Sequence, residues 1–453
     1  MKKPKQIPKT VCAAAWFHTY ASPQGARRLC CASRESAQND IMKQYIDLPS
    51  KHKGEFKPTT LKEHWNSEYM KDIRRRMMEG EEIEQCQVCN EQILNLWTYR
   101  QYFNETLFAN RFDEIYDKTD EDGHTDTEVI SFDYRLSNLC NFKCRMCGPP
   151  LSSSWESEAR QHEDWNKEKD PWMIPKIKAV IEEFQTDVLE EELDEAIDRK
   201  IIREVYWVGG EPLMWEAHWR LMDKMVKNKV SKVVTLRYNT NLSRIDWKGK
   251  NLFKDYLFSF KHTNICASID ATGKIGEFIR TGLDWEKWVE NWETGQEWKF
   301  LQPLPSNMHP DFLVVDLTLT LPGMFDLPNL VKFANYYGSK IYTKIVFAFD
   351  PSIVLSPFAL PRELLDEFID DLVSEIEPIT NNKNGSVLET LLNMKKRPTF
   401  AEQWPETYRE GLINGKRRQE HLSNIRQDGK HGRLTIEEIY ALRPEILEWW
   451  NQI

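Results

Sequence analysis

The stretch "LSNLCNFKCRMCGPP" (136–150) places Cys140, Cys144 and Cys147 within eight residues, spaced C-x3-C-x2-C. It follows "VISFDYRLS" (129–137), an alternating run that reads as a β-strand. The three thiols therefore sit in the loop at a strand's C-terminal end, which in parallel barrels is the rim where chemistry is built. A closed structural metal site takes four protein ligands, whereas a catalytic site keeps a position open. After Cys147 the chain holds only Cys266, inside an apolar strand stretch, where it reads as a buried small hydrophobe rather than a ligand. Three thiolates suffice to hold three irons of a cubane [4Fe–4S] cluster and leave the fourth iron open. Three ligands of a zinc site is the competing reading.

Outward from this loop the chain alternates strand and helix. Further strands are expected at "REVYWVG" (203–209), "VVTLRYN" (233–239), "TNICASID" (263–270), "FLVVDLTLT" (312–320) and "YTKIVFAFD" (342–350). Helical segments such as "EAHWRLMDKMVKN" and "LPNLVKFANYYG" lie between them. Six such repeats predict a parallel α/β barrel or a doubly wound sheet. The insertion 181–200 carries nine acidic side chains interleaved with Ile181, Phe184, Val188, Leu189 and Leu193, the pattern of an exposed amphipathic helix. Residues beyond 351 read as helix-rich, with a loop at "NNKNGS".

Before residue 129 the alternation is absent and five cysteines take its place: Cys12, Cys30, Cys31, Cys86 and Cys89. One helix is legible in "TLKEHWNSEYMKDIRRRMMEGE" (60–81), with Leu61, Trp65, Tyr69, Ile73 and Met77 on one face and Gly80 as its stop. "YDKTDEDGHTDTE" (116–128) reads as a linker or surface loop. Three parts follow: a cysteine-rich module over 1–125, a barrel over 126–350 and a helical extension over 351–453.

Composition bounds the function. The chain has 453 residues, 40% of them hydrophobic and 12% aromatic, enough for substantial cores. The formal charge of 61 − 71 = −10 argues against sequence-independent nucleic-acid binding. No apolar run is long enough for a transmembrane helix, and "VCAAAWF" is too short for a secretory core, so a cytoplasmic protein is expected. Clustered cysteines in such a protein point to metal ligands or catalytic groups rather than disulfides.

"CNFKCRMC" resembles the signature of the radical S-adenosylmethionine (SAM) superfamily, with Met146 where many members carry an aromatic. The resemblance extends to strand ends. "YWVGGEP" resembles the family's GGE motif, which implies that Gly209, Gly210 and Glu211 receive the SAM amino group. "RYNTN", with Asn239 and Asn241, resembles "TNG". "ASIDATG" resembles the SxD segment, which implies SAM contacts for Ser268 and Asp270. Arg280 in "EFIRTG" is the implied partner of the SAM carboxylate, since a guanidinium grips one bidentately. At the N-terminus, Cys12, Gly25 and Cys30 resemble the C-x9–15-G-x4-C opening of SPASM and twitch modules, with "SPQGARRLCC" as a tight hairpin. "CQVC" then supplies Cys86 and Cys89.

The resemblance implies a partial (β/α)6 radical SAM barrel with an N-terminal twitch-like module and a helical C-terminal extension. Cys140, Cys144 and Cys147 would bind the SAM-cleaving [4Fe–4S] cluster. Cys12, Cys30, Cys86 and Cys89 would bind one auxiliary [4Fe–4S] cluster, with Cys31 spare or replacing Cys30 and structural zinc as the alternative. Reductive cleavage of SAM would give a 5′-deoxyadenosyl radical that abstracts hydrogen from a substrate, and relatives of this kind make a peptide or protein the expected one. A one-electron donor such as a ferredoxin or flavodoxin is implied. The contrasting reading is a non-enzymatic zinc- or iron–sulfur-binding scaffold.

Overall fold

The computed structural model describes residues 7–34, 58–91, 98–162, 171–301, 311–346, 353–426 and 434–453. Among the described residues ten strands are formed: β1 (His18–Ala21), β2 (Arg27–Arg28), β3 (Ser131–Tyr134), β4 (Glu204–Trp207), β5 (Thr235–Thr240), β6 (Asp246–Trp247), β7 (Lys250–Asn251), β8 (His262–Ser268), β9 (Leu313–Leu319) and β10 (Ile341–Ile345). The six strands expected from the alternation are β3, β4, β5, β8, β9 and β10. The end of the last expected one, 347–350, lies outside the described residues.

The chain divides into two compact units. One comprises Met1–Cys140, Pro149–Arg237 and Lys254–Thr263; the other comprises Asn141–Gly148, Tyr238–Phe253 and Asn264–Ile453. In the first, the strand order is β2-β1-β3-β4 and then the opening half of β5. β1 pairs parallel with β3, His18 opposite Ser131, and β3 pairs parallel with β4, Ser131 opposite Glu204. In the second, the closing half of β5 is followed by β8, β9 and β10. β8 pairs parallel with β9 (Ser268 opposite Asp316), and β9 pairs parallel with β10. The architecture is thus mixed α/β with a mostly parallel sheet, the strand set of a partial barrel, followed by a helical extension. β6 and β7 form a separate hairpin.

The cysteine-rich region contributes more β-structure than its sequence suggests. β1 and β2 form a hairpin, Tyr20 opposite Arg28, closed by "SPQG" with Gly25 at φ +81°. The single helix expected over 60–81 is two, Leu61–Trp65 and Glu68–Met78, because Ser67 caps the second by accepting from the Met70 amide. Of the expected face, Ile73 and Met77 are buried, joined by Met70, and pack with Val11, Trp16, Phe17 and Phe103, while Trp65 and Tyr69 lie partly buried against this core. Arg74, fully buried, donates to the carbonyls of Ala15 and Trp65. The stretch 116–128 is a packed loop rather than a free linker: Thr119 bridges Thr125, and Trp16 Nε1 donates to Thr119 Oγ1 at 2.9 Å.

The acidic insertion forms helices Pro175–Glu183 and Glu190–Asp198 joined by the π-helical stretch Phe184–Leu189, with Ile181, Phe184, Leu189 and Leu193 buried. One acid departs from the solvated face: Glu192 accepts both hydrogen bonds of a bidentate pair from buried Arg27. The C-terminal region carries helices Arg362–Ile376, Gly385–Met394, Pro405–Ile425, Ile436–Tyr440 and Pro444–Gln452. Among the described residues no helix is long and apolar enough to cross a membrane.

Candidate metal centre

The two units divide within the cysteine loop, so Cys140 belongs to the first and Cys144 and Cys147 to the second. In the first, the loop's entry is fixed by Asn138, whose Nδ2 donates to the Pro149 carbonyl at 3.0 Å and to Glu156 Oε2 at 2.9 Å. Glu156 also accepts from Trp172 Nε1, Lys178 Nζ and Arg160 Nε. Burial pushes its carboxyl up, but these donors outweigh burial and hold it below the usual range. The Cys140 carbonyl accepts from the hydroxyls of Ser153 and Ser154, and its amide donates to Ser153 Oγ.

The GGE bend lies against the same entry. Gly209 and Gly210 have φ of +98° and +47°, a region that favours glycine. A Cβ on Gly210 would stand 2.7 Å from the Leu139 carbonyl oxygen and 2.9 Å from the Asn138 carbonyl carbon. The close approach that Gly210 permits is therefore to the chain's own backbone, just before Cys140, and not only to a ligand. The Glu211 amide donates to the Leu139 carbonyl at 2.8 Å. The fully buried Glu211 carboxylate accepts from the Leu213 amide.

In the second unit, segment 141–148 is bound to the chain that follows β8. The Lys143 amide donates to the Thr281 carbonyl at 2.7 Å and the Arg145 amide to the Ile279 carbonyl at 2.8 Å. Asn241 Nδ2 donates to Asn141 Oδ1, while its own Oδ1 accepts from the Ser243 amide. Arg280 meets Asp270 through two contacts, Nε to Oδ2 at 2.8 Å and Nη2 to Oδ1 at 2.9 Å. Asp270 Oδ1 also accepts from the Thr318 amide. Burial opposes the Arg280 charge, but Asp270 outweighs it and keeps the guanidinium protonated. Arg280 is thus oriented by Asp270 beside Cys144 and Cys147, whose thiols both sense its charge. Burial pushes Cys147 up to about 12, and Cys144 adds to that rise. Ser268 closes β8 opposite Asp316.

Cys266 lies on the partly open face of β8 with Asn264 and Ser268, because strand alternation puts Ile265 and Ala267 on the buried side. It is half-buried, not the enclosed hydrophobe expected. Asp316, which sequence reading missed, accepts from Asn239 Nδ2 at 2.5 Å and from Lys344 Nζ at 2.9 Å. The available signal was an acid isolated in the apolar run "LVVDLTLT".

The N-terminal cysteines gather within the first unit. Cys12 and Cys86 belong to its apolar core, and Cys30 packs on it. Burial raises Cys12, with Cys86 and Cys89 adding; burial raises Cys30, with Cys31, Cys12 and Cys86 adding. Cys31 has different company. Burial pushes it up to about 11, Asp133 adds, Arg135 and Arg237 oppose, and Tyr99 hydrogen-bonds it. None of the nine cysteines is in a disulfide. Among the described residues no group of three His, Cys, Asp or Glu side chains is closed on a single metal ion. The donor set still fits a thiolate-held cluster, since buried thiols that repel one another when ionised are what a bound cationic centre neutralises.

The three-cysteine loop thus follows the first strand of a parallel series and the glycine bend follows the second, in a mixed α/β protein. Residues 134–297 match the family model of the Radical SAM superfamily, and residues 12–90 match that of an iron–sulfur cluster-binding domain, SPASM. The chain therefore carries a radical SAM domain and a SPASM-type auxiliary module. No curated protein and no solved structure matches it. Its radical SAM domain implies a [4Fe–4S] cluster and SAM, and its SPASM domain implies an auxiliary iron–sulfur cluster. It is accordingly an enzyme that needs a reductant and a substrate.

Proposed function

We propose that the enzyme modifies a peptide or protein, with Cys140, Cys144 and Cys147 as ligands of the SAM-cleaving [4Fe–4S] cluster. Cys12, Cys30, Cys86 and Cys89 are the proposed ligands of an auxiliary [4Fe–4S] cluster. The observation that carries the site reading is the bonding of the Cys144 segment to the chain on both sides of Arg280, which pairs with Asp270. The peptidyl substrate rests on the pairing of a radical SAM domain with a SPASM-type module. The functional parts are 1–125, 126–350 and 351–453, in a cytoplasmic protein served by a ferredoxin or flavodoxin.

When bound, the cluster and SAM supply one-electron reductive cleavage to methionine and a 5′-deoxyadenosyl radical that takes hydrogen from the substrate. The chain's own residues bind and orient. Arg280, held by Asp270, offers a fixed guanidinium to the SAM carboxylate, with Ser268 nearby at the end of β8. Gly209, Gly210 and Glu211 hold the other ligand-facing bend. Asn241 fixes Asn141 beside the first cysteine. Of the two adjacent cysteines, Cys30 is the proposed auxiliary ligand, because its neighbours are Cys12 and Cys86 whereas those of Cys31 are Tyr99 and Asp133.

The test is anaerobic reconstitution with SAM and dithionite, then assay for 5′-deoxyadenosine and for mass change in candidate peptides. Release of 5′-deoxyadenosine by the wild type and its loss in Cys144→Ala is the expected result. A colourless protein holding only zinc would sink the reading.

A further inference from the structure

Nothing in the family motifs accounts for the C-terminal helices, yet one of them reaches the cysteine loop. Arg145 stands between Cys144 and Cys147 and is 4% exposed. Its guanidinium lies over the Phe278 ring at 3.9 Å and donates to the Phe278 carbonyl at 3.0 Å. The remaining nitrogens turn to helix Pro405–Ile425, donating to Gln419 Oε1 at 3.1 Å and to Ser423 Oγ at 3.3 Å. Arg426, just past that helix, returns the contact by donating to the Lys143 carbonyl at 2.8 Å and to Thr281 Oγ1 at 3.2 Å. The two arginines thus cross between loop and helix in opposite directions. Charge accompanies the geometry, since the Arg426 guanidinium stands at the carbonyl of Lys143, the residue before Cys144.

We propose that helix Pro405–Ile425 with Arg426 is a clamp that fixes the cysteine loop and places positive charge beside its cluster. This rests on the reading of Cys144 and Cys147 as cluster ligands. Gln419, Ser423 and Arg426 are positioning residues, acting on the ligands through Arg145 and the Lys143 carbonyl. Hydrogen bonds and charge around a cluster tune its reduction potential, and partners behind the ligands set how firmly it is held. The Arg426 charge, held at the Lys143 carbonyl, would favour uptake of an electron by a cluster bound there.

The test uses full-length, anaerobically reconstituted protein carrying Gln419→Ala/Ser423→Ala, Arg426→Ala or Arg426→Lys. Two quantities are read: the rate of iron loss to a chelator, and the midpoint potential of the electron paramagnetic resonance signal that changes on adding SAM. Iron loss from the SAM-responsive cluster is expected to be several-fold faster in Gln419→Ala/Ser423→Ala and Arg426→Ala, with the second cluster unaffected. The potential is expected to fall in Arg426→Ala and to return towards wild type in Arg426→Lys, which keeps the charge. Wild-type iron loss and potential in variants that melt like wild type would overturn the clamp. Equal potentials for Arg426→Lys and Arg426→Ala would overturn its electrostatic half. Cys144→Ala separates the two levels. A SAM-responsive signal surviving in it removes the ligand assignment, whereas its loss there beside wild-type clamp variants removes the clamp alone.

Discussion

Gly210→Ala tests why the GGE bend carries its glycines. At φ +47°, an alanine meets two costs. The left-handed backbone costs an L-residue about 1–2 kcal/mol. The new methyl would stand 2.7 Å from the Leu139 carbonyl oxygen and 2.9 Å from the Ser137 carbonyl oxygen, both backbone atoms that cannot rotate aside. Overpacking of that kind adds about 1–3 kcal/mol. Gly80→Ala is the matched control in the same unit, since Gly80 has φ +84° and its nearest neighbour to a new Cβ is Pro8 at 3.9 Å. It therefore carries the backbone cost without the contact. The difference of about 1–3 kcal/mol translates to a melting point roughly 2–12 °C lower for Gly210→Ala than for Gly80→Ala. Calorimetry on protein without SAM reads this directly, and iron analysis is expected to show a partial loss of the cluster held by the adjacent loop. Equal melting points with full iron in both variants would refute the contact argument. They would leave the glycines with only their ligand-facing role, which would show instead as weaker SAM binding.

Three further outcomes are expected. Cys30→Ser should lose the auxiliary cluster signal while Cys31→Ser keeps it, read by Mössbauer spectroscopy and iron content; the reverse pattern would exchange their roles. Asp270→Ala strands the buried Arg280 charge and should destabilise by about 3–5 kcal/mol in denaturant titration, and Asp270→Leu/Arg280→Met should recover most of that stability without recovering SAM cleavage. Glu156 is held below the usual carboxylate range in the folded state, so the unfolded chain binds its proton first. Its contribution is fully present above the ordinary glutamate pKa of about 4.3 and is lost as the pH falls through the lower folded value. Glu156→Gln should therefore flatten the acid limb of stability against pH, and an unchanged limb would show that Glu156 is not the group responsible.

Local signals made much of this fold legible. Each of the six barrel strands is an apolar or alternating run ended by polar or glycine-rich sequence, and such runs fix element type without tertiary information. The SPQG hairpin was equally readable, because Gly25 marks a turn by itself. What escaped was set by partners distant in sequence. β1 reads as "HTYA", four residues without alternation, and becomes a strand only by pairing with β3 more than a hundred residues on. The break at Asn66–Ser67 hides inside an unbroken i, i+4 apolar stripe, since a cap needs only one hydroxyl.

The site divides in the same way. Cysteine spacing identified the ligand candidates, but spacing along a chain says nothing of which neighbour each thiol faces. Cys30 and Cys31 are adjacent and chemically identical, so only the fold gives one the company of Cys12 and Cys86 and the other that of Tyr99 and Asp133. Arg280 shows a subtler limit. Its sequence position suggested a free guanidinium awaiting a carboxylate, yet Asp270 already holds it through one hydrogen bond and one further ion-pair contact. A guanidinium has five N–H groups, so a second carboxylate can still be met on the remaining edge. A buried cation without Asp270 would carry a desolvation cost of several kcal/mol. The pair is therefore better understood as one element, in which the acid keeps the base charged and aimed, than as two independent contacts to a cofactor.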